Sequence, residues 1–199
     1  MISRRLLGGL AMAGLARPAG ATPGLSVFEM AEPSGEPGVA LRVFVYRPAA
    51  WRPADQAIIV MHGQGRDADR YIAQWAPQAE ATGLLVIAPE FSQRKYPGVA
   101  AYNWGNVVTE AGTPNPPEAW IFGAIDRIWA AAREKTGATQ AGYALFGHSA
   151  GAQFAGRMGH KYRGTPLGRI GPDIRAPNTR PAKGSGRPHV ENPSPLKGF

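Results

Sequence analysis

The chain contains no cysteine among its 199 residues, so it can form no disulfide and offers no thiol nucleophile. It also lacks histidine and carboxylate clusters with metal-ligand spacing, the glycine patterns that bind dinucleotides or nucleotide phosphates, and internal repeats. Its N-terminal apolar run, residues 6–16, is too short to cross a bilayer. We therefore expect no metal, no cofactor and no stable membrane span.

The formal net charge is +8, which on its own suggests a nucleic-acid partner. Most of the excess of arginine and lysine lies in residues 161–199, a segment that is also rich in proline and glycine. The remainder of the chain carries little net charge. We therefore expect no nucleic-acid binding.

The first 21 residues have the three parts of a secretory signal. Arg4 and Arg5 precede the apolar run, and small residues at positions 19–21 offer a cleavage site. The paired arginines resemble a twin-arginine signal. This pattern predicts a signal peptide over residues 1–21 and export to a bacterial periplasm or the extracellular space, whereas an uncleaved N-terminus is the alternative.

A Gly-x-Ser-x-Gly sequence at residues 147–151 is the most informative motif. It follows the apolar segment 142–146 and precedes a helical pattern over residues 151–159. A sharp strand-to-helix turn strains the backbone of its central residue and leaves room only for small neighbours. The turn lifts the Ser149 hydroxyl above the sheet, so Ser149 is a candidate nucleophile. A chance match is the alternative, and we expect His148 to face away from the hydroxyl.

A second glycine-rich segment, residues 62–66, follows the apolar run 57–61. A loop of this kind after a buried strand can direct a backbone N–H, here that of Gln64, toward the serine. Together with the N–H of Ala150 it would form an oxyanion hole. The alternative is that the glycines only make a tight turn into the next helix.

Four side chains near these motifs have both a structural and a functional interpretation. We expect His62 to hold the shape of its loop rather than to transfer protons, and Arg66 to hold the loop rather than to bind an acidic substrate. Tyr102 and Trp104 either line a pocket for an aromatic or acyl group or pack their own loop. For Tyr102 and Trp104, the sequence does not decide between these two roles.

The order of elements predicts an α/β fold. Strand-like composition covers residues 25–30, 39–46, 57–61, 84–88 and 142–146. Helical spacing covers residues 69–81, 116–135 and 151–159. The first two strands predict an antiparallel pair, and the later strands, which are apolar throughout, predict a mostly parallel sheet with flanking helices. Active sites in such sheets lie at the carboxyl ends of the strands, where both glycine motifs fall.

Three segments carry a resemblance to a known family: residues 60–66, 102–106 and 147–154. On these segments the chain resembles the α/β-hydrolase family, in particular secreted esterases related to polyhydroxybutyrate depolymerases and feruloyl esterases. The resemblance covers about residues 25–160. It implies that residues 22–160 are the N-terminal part of an α/β-hydrolase domain.

The resemblance also implies a site and a reaction. Ser149 would be the nucleophile of acyl transfer, and the N–H groups of Gln64 and Ala150 would bind the oxyanion. The substrate would be a small-molecule or polymeric carboxylic ester, with water releasing the acyl group and no cofactor involved.

The chain departs from the family after the elbow helix. α/β-Hydrolases continue with strands that deliver an acid and then a histidine, whereas residues 161–199 have no strand or helix pattern and predict a disordered basic tail. Asp173 and His189 keep the chain order, but a structureless segment cannot hold an imidazole at Ser149. His160 is expected at the far end of the elbow helix. The sequence therefore predicts an inactive chain, either a truncated esterase or a non-catalytic remnant or basic-tailed binding protein.

The basic tail has two explanations, a natural extension that binds an acidic partner or a frameshift near codons 158–165. We favour the frameshift, because the composition changes abruptly inside an expected domain. Without further strands the elbow strand is an exposed apolar edge, which predicts poor solubility. A sharp, cooperative thermal melt of a soluble monomer would contradict that prediction.

Overall fold

The computed structural model describes residues 22–161. The predicted signal peptide and most of the predicted tail, including Asp173 and His189, lie outside the described residues. Of the sites proposed from sequence, Ser149, Ala150 and Gln64 all lie inside them.

A five-stranded mixed sheet forms the centre of the described part. Its strands are β1 Gly24–Met30, β2 Leu41–Arg47, β3 Ala57–Met61, β4 Leu85–Pro89 and β5 Ala144–Gly147. The spatial order is β1-β2-β4-β3-β5. β1 and β2 pair antiparallel, β2 pairs antiparallel with β4, and β3 runs parallel to both β4 and β5. The predicted antiparallel pair and α/β fold class are confirmed.

Helices cover both faces of this sheet. The helices are α1 Ala68–Thr82, α2 Gly98–Ala101, α3 Gly123–Thr136 and α4 Ala150–Lys161. Alternate residues of β3 belong to two different core clusters, as a strand buried on both faces requires. Ile58 and Val60 pack with α1, whereas Ile59 and Met61 pack with α3 and α4.

The helix predicted over residues 116–135 begins later than expected. Pro117–Ala119 form a single 3₁₀ turn, and α3 starts only at Gly123. Trp120 between them is extended, with ψ of 138°, and its indole N–H donates to the carbonyl of Asn115. These contacts tie the segment to the preceding loop instead of to a helix. The predicted end at Gly137 is correct, because this residue adopts φ of 77° and its N–H donates to the carbonyl of Arg133.

The topology brings the carboxyl ends of β3, β4 and β5 to one edge of the sheet. The two glycine motifs follow β3 and β5, which are neighbours in the sheet. β5 is the last strand in the order, so its outer edge is unpaired in the described part, and the expected poor solubility stays a prediction. Between residues 22 and 161, none of the helices has the length and apolar character needed to span a bilayer.

Candidate active site

Ser149 occupies a strained turn between β5 and α4. Its φ is 53°, a left-handed conformation that non-glycine residues adopt at a cost in free energy. β5 ends at Gly147 and α4 begins at Ala150, so the turn is as short as the sequence motif predicts. The side chain of Ser149 is exposed to solvent, at the N-terminus of a helix whose dipole favours negative charge.

The two glycines of the motif are required by close backbone contacts. A Cβ atom on Gly147 would lie 2.2 Å from the carbonyl oxygen of Gly151, and one on Gly151 would lie 2.4 Å from the carbonyl oxygen of Met61. Neither glycine has a positive φ, so the reason is space rather than backbone conformation. Gly151 is therefore required by the packing of α4 on β3, and Gly147 by the closeness of the first turn of α4 to β5.

The glycine-rich loop after β3 lies directly against the serine turn. A Cβ atom on Gly63 would lie 3.6 Å from the Cβ of Ser149. The carbonyl of Gly63 accepts hydrogen bonds from Nδ1 of His62 at 3.0 Å and from the N–H of Arg66 at 3.2 Å. Because the peptide is planar and trans, the N–H of Gln64 points away from these two donors. That N–H has no acceptor within residues 22–161.

The structure thus brings the three predicted site residues into neighbouring turns. Ala150 is the first residue of α4, so its N–H has no acceptor within the helix. Gln64 follows Gly63, the residue that contacts the serine turn. Two backbone donors and one exposed hydroxyl are the parts that acyl transfer needs around a carbonyl carbon.

His62 holds the loop and is not free to act as a base. It is fully buried, its Nε2 accepts the N–H of Phe91 at 3.0 Å, and its Nδ1 faces the carbonyl of Gly63. A carbonyl can only accept, so the ring proton is on Nδ1. Burial of the imidazole is the largest influence on the pKa of His62 and lowers it to about 4.

We expect this neutral histidine to make the fold sensitive to acid. Between pH 6.5 and about 4 the unfolded chain protonates His62 while the folded chain does not, so stability falls as the pH is lowered through this window. The full loss is about 3 kcal/mol. Urea unfolding at pH 7, 5.5 and 4.5 measures it. His62→Gln should be less stable at pH 7 but show a flatter pH dependence; an equal slope in both proteins would contradict the assignment.

Arg66 holds the loop from its other side. It adopts φ of 58°, is buried, and donates from its two terminal nitrogens to the carbonyls of Phe91 at 2.5 Å and Gly98 at 2.9 Å. Its guanidinium also lies 4.3 Å from the ring centroid of Tyr102. Of the two roles open for Arg66 in the sequence, the contacts support loop holding.

Tyr102 and Trp104 have different environments. Tyr102 is fully buried, donates to the carbonyl of His62 at 2.7 Å and stacks on Phe154. Trp104 is half-buried and lines an apolar cleft of about 720 Å³ beside α4, with Trp120, Phe122 and Arg157 among the other lining residues. Tyr102 therefore packs in the core beneath the glycine-rich loop, whereas Trp104 borders a space large enough for a substrate group.

Sequence reasoning missed Tyr71. The helical spacing over residues 69–81 includes Tyr71, but such spacing does not show which group a side-chain hydroxyl contacts. In the structure the Tyr71 hydroxyl lies between the two glycine motifs, accepting the N–H of Gly63 at 3.2 Å and contacting Nδ1 of His148 at 2.7 Å. His148 is thus engaged with a tyrosine.

The hydroxyl of Ser149 has no hydrogen-bond partner among the side chains that the structure describes. His62 and Nδ1 of His148 bond to other groups. His160 belongs to the last turn of α4. The same range holds no group of histidine, cysteine or carboxylate residues that could bind a metal ion.

No family model and no curated protein sequence matches the chain. Several solved structures are similar to it. A poly(aspartic acid) hydrolase-1 from Sphingomonas sp. KT-1 is 35% identical with a TM-score of 0.64, over 74% of this chain and 55% of that one. A poly(3-hydroxybutyrate) depolymerase from Bordetella parapertussis is 32% identical with a TM-score of 0.61, over 69% of this chain and 47% of that one.

An S-formylglutathione hydrolase from Agrobacterium tumefaciens shares the fold at 15% identity, with a TM-score of 0.50 over 69% of this chain and 53% of that one. The fold and these similarities together place the chain in the α/β-hydrolase family, among its esterases and related hydrolases. The chain spans about half the length of these relatives.

Proposed function

We propose that the chain is the N-terminal part of a carboxylic-ester hydrolase in which Ser149 is the nucleophile and the N–H groups of Gln64 and Ala150 bind the oxyanion. The observation that carries the proposal is the φ of 53° at Ser149, in a turn that lies directly against Gly63. Strain of this kind at an exposed hydroxyl has a functional use, because it holds the oxygen clear of the backbone.

The proposed reaction is acyl transfer through Ser149. The Ser149 oxygen attacks the ester carbonyl, its proton passes to a base, and the carbonyl oxygen becomes negatively charged between the N–H groups of Gln64 and Ala150. Collapse of this intermediate breaks the bond to the alcohol, which leaves with the proton. Water then attacks the acyl-serine by the same route and releases the acid.

We expect the base in this reaction to come from outside residues 22–161 or from an added compound, because His62 and Nδ1 of His148 have other hydrogen-bond partners. A serine hydroxyl without a base is a weak nucleophile. We therefore expect the 199-residue chain alone to hydrolyse esters very slowly. The second candidate function, a non-catalytic remnant or basic-tailed binding protein, is favoured by the same observation.

The substrate class rests on the cleft and on the relatives. Trp104 borders an apolar space whose lining includes Arg157 of α4 but not Ser149, Gln64 or Ala150, and we assign the acyl or alcohol part of an ester to this space. One relative is named as a depolymerase of poly(3-hydroxybutyrate), a polyester, and another as a hydrolase of poly(aspartic acid), whose units are joined by amide bonds. The proposed substrate is a small or polymeric ester met outside the cytoplasm, on the strength of the polyester relative and the signal pattern of residues 1–21.

Imidazole rescue tests the proposal. The chain is incubated with a fluorophosphonate, with and without tens of millimolar imidazole, and the adduct is located by peptide mass spectrometry. We expect an adduct on Ser149 whose rate of formation rises with imidazole, and none in Ser149→Ala. If Ser149 stays unmodified with imidazole present while the chain is folded, the non-catalytic alternative is supported.

A further inference from the structure

One hydroxyl joins the two turns of the candidate site. Tyr71, in the first turn of α1, is 6% exposed. Its oxygen accepts the N–H of Gly63 at 3.2 Å and lies 2.7 Å from Nδ1 of His148. Gly63 immediately precedes Gln64, and His148 immediately precedes Ser149. The Tyr71 hydroxyl therefore bridges the segment with a proposed oxyanion donor to the segment with the proposed nucleophile.

Both bonds end on the same hydroxyl. The N–H of Gly63 can only donate, so the Tyr71 oxygen accepts that bond. In the second bond, to Nδ1 of His148, the tautomer of the imidazole decides which of the two atoms donates. Because phenylalanine has no hydroxyl, it can keep neither bond at position 71.

The peptide planes on either side of Gly63 show what the hydroxyl controls. The plane between His62 and Gly63 is held at its carbonyl by Tyr102 at 2.7 Å and at its N–H by Tyr71. The next plane is held at its carbonyl by the two donors described above, which leaves the N–H of Gln64 free. Of these bonds, the one from Tyr71 ties the planes to the serine turn.

The glycine-rich loop at Gly63 and the serine turn at Ser149 are closely packed. A Cβ atom on Gly63 would lie 3.2 Å from the Tyr71 oxygen and 3.4 Å from Nδ1 of His148, as well as close to Ser149. A shift of the loop thus changes its distance to the serine turn directly. Misplacement of a reacting group by about 1 Å can cost a hundredfold in rate.

We propose that Tyr71 is a positioning residue of the hydrolytic site, whose hydroxyl sets the position of the Gln64 N–H relative to Ser149 through Gly63 and His148. The inference rests on the proposed function, because it places the hydroxyl behind the oxyanion hole. Tyr71 touches no reacting atom. Its loss therefore lowers the rate of the chemical step and leaves the binding of the ligand unchanged.

The test compares Tyr71→Phe with a matched control, Tyr46→Phe. The Tyr46 hydroxyl also contacts α1, where it donates an exposed hydrogen bond to Glu80, and it bonds to neither glycine motif. Imidazole-assisted phosphonylation of Ser149 is followed against probe concentration. We expect the saturating rate of Tyr71→Phe to fall about tenfold, less than the loss of a whole oxyanion donor, with the half-saturating concentration unchanged and Tyr46→Phe like the parent.

Amide hydrogen exchange of the same proteins separates this inference from the proposed function. We expect faster exchange in Tyr71→Phe over residues 62–66 and 147–151, and no change in Tyr46→Phe. Unchanged labelling and unchanged exchange in Tyr71→Phe overturn the inference, as does an equal slowing in both variants. If the parent is not phosphonylated at all, the proposed function fails, and exchange alone then decides whether Tyr71 couples the two turns.

Discussion

Replacing Gly147 by alanine is expected to destabilise the fold by about 3 kcal/mol, at the upper end of what overpacking costs. The added methyl would lie 2.2 Å from the carbonyl oxygen of Gly151 and 2.6 Å from the N of Ala152. These are backbone atoms in the first turn of α4, so relief requires moving the helix away from β5. The same movement would relax the strained turn at Ser149.

Gly156→Ala is the matched control for this prediction, since it adds the same methyl to the same helix. A Cβ atom on Gly156 meets no other atom within 4 Å, and alanine is the better helix former. We expect it to stabilise the protein by about 0.5 to 1 kcal/mol. Urea unfolding of both variants, together with phosphonylation of Ser149, measures the contrast. Similar stability of the two would show that the elbow does not need its first glycine.

Much of the fold and of the candidate site could be predicted because the signals are local. Apolar runs marked β3 and β4, since strands buried on both faces carry no polar residue. The glycine motif marked the turn at Ser149, because Gly147 is confined by Gly151 and Ala152, which are close to it in sequence. Gly137 marked the end of α3 by the left-handed conformation that a helix end favours.

What could not be predicted depends on contacts distant in sequence. The start of α3 is displaced because Ile121 donates its N–H to the carbonyl of Gly105, a bond outside any helical period. The role of Tyr71 follows from a partner 77 residues away. Helical periodicity reports that such a side chain is buried, but its hydrogen-bond partner is set by how α1 and α4 pack on one sheet.

A buried carboxylate outside the candidate site also has a partner that is distant in sequence. Its loss is expected to have the second large effect on stability. The side chain of Glu32, in the β1–β2 connection, is fully buried. It accepts two hydrogen bonds from Arg127 of α3, at 2.8 and 2.5 Å, and two from the backbone and hydroxyl of Ser34. Burial alone would raise the pKa of Glu32, but the bonds from Arg127 and Ser34 together outweigh it and leave that pKa below 4.5.

Arg127→Met is therefore expected to cost about 3 kcal/mol at pH 7, because it leaves a buried carboxylate without its cation. The direction in which stability changes with pH follows from the pKa of Glu32. In the parent, Glu32 contributes stability above pH 4.5 that is lost as the pH falls through its lowered folded pKa. In the variant the lowering influence of Arg127 is lost while burial remains, so the pKa of Glu32 is higher than in the parent and its folded state takes up a proton at a higher pH. The difference in stability between parent and variant should therefore shrink as the pH is lowered from 7 to 4.

Urea unfolding at both pH values checks this, with Arg42→Met as the control. Arg42 forms an ion pair with Glu90, whose side chain keeps contact with solvent whereas that of Glu32 does not, so the loss of Arg42 should cost less than about 1 kcal/mol. A parent-to-variant difference for Arg127→Met that stays constant with pH would mean that Arg127 acts through packing of its side chain. A shrinking difference would show that α3 is held to the β1–β2 connection by charge, at a place where neither segment's own sequence pattern indicates a partner.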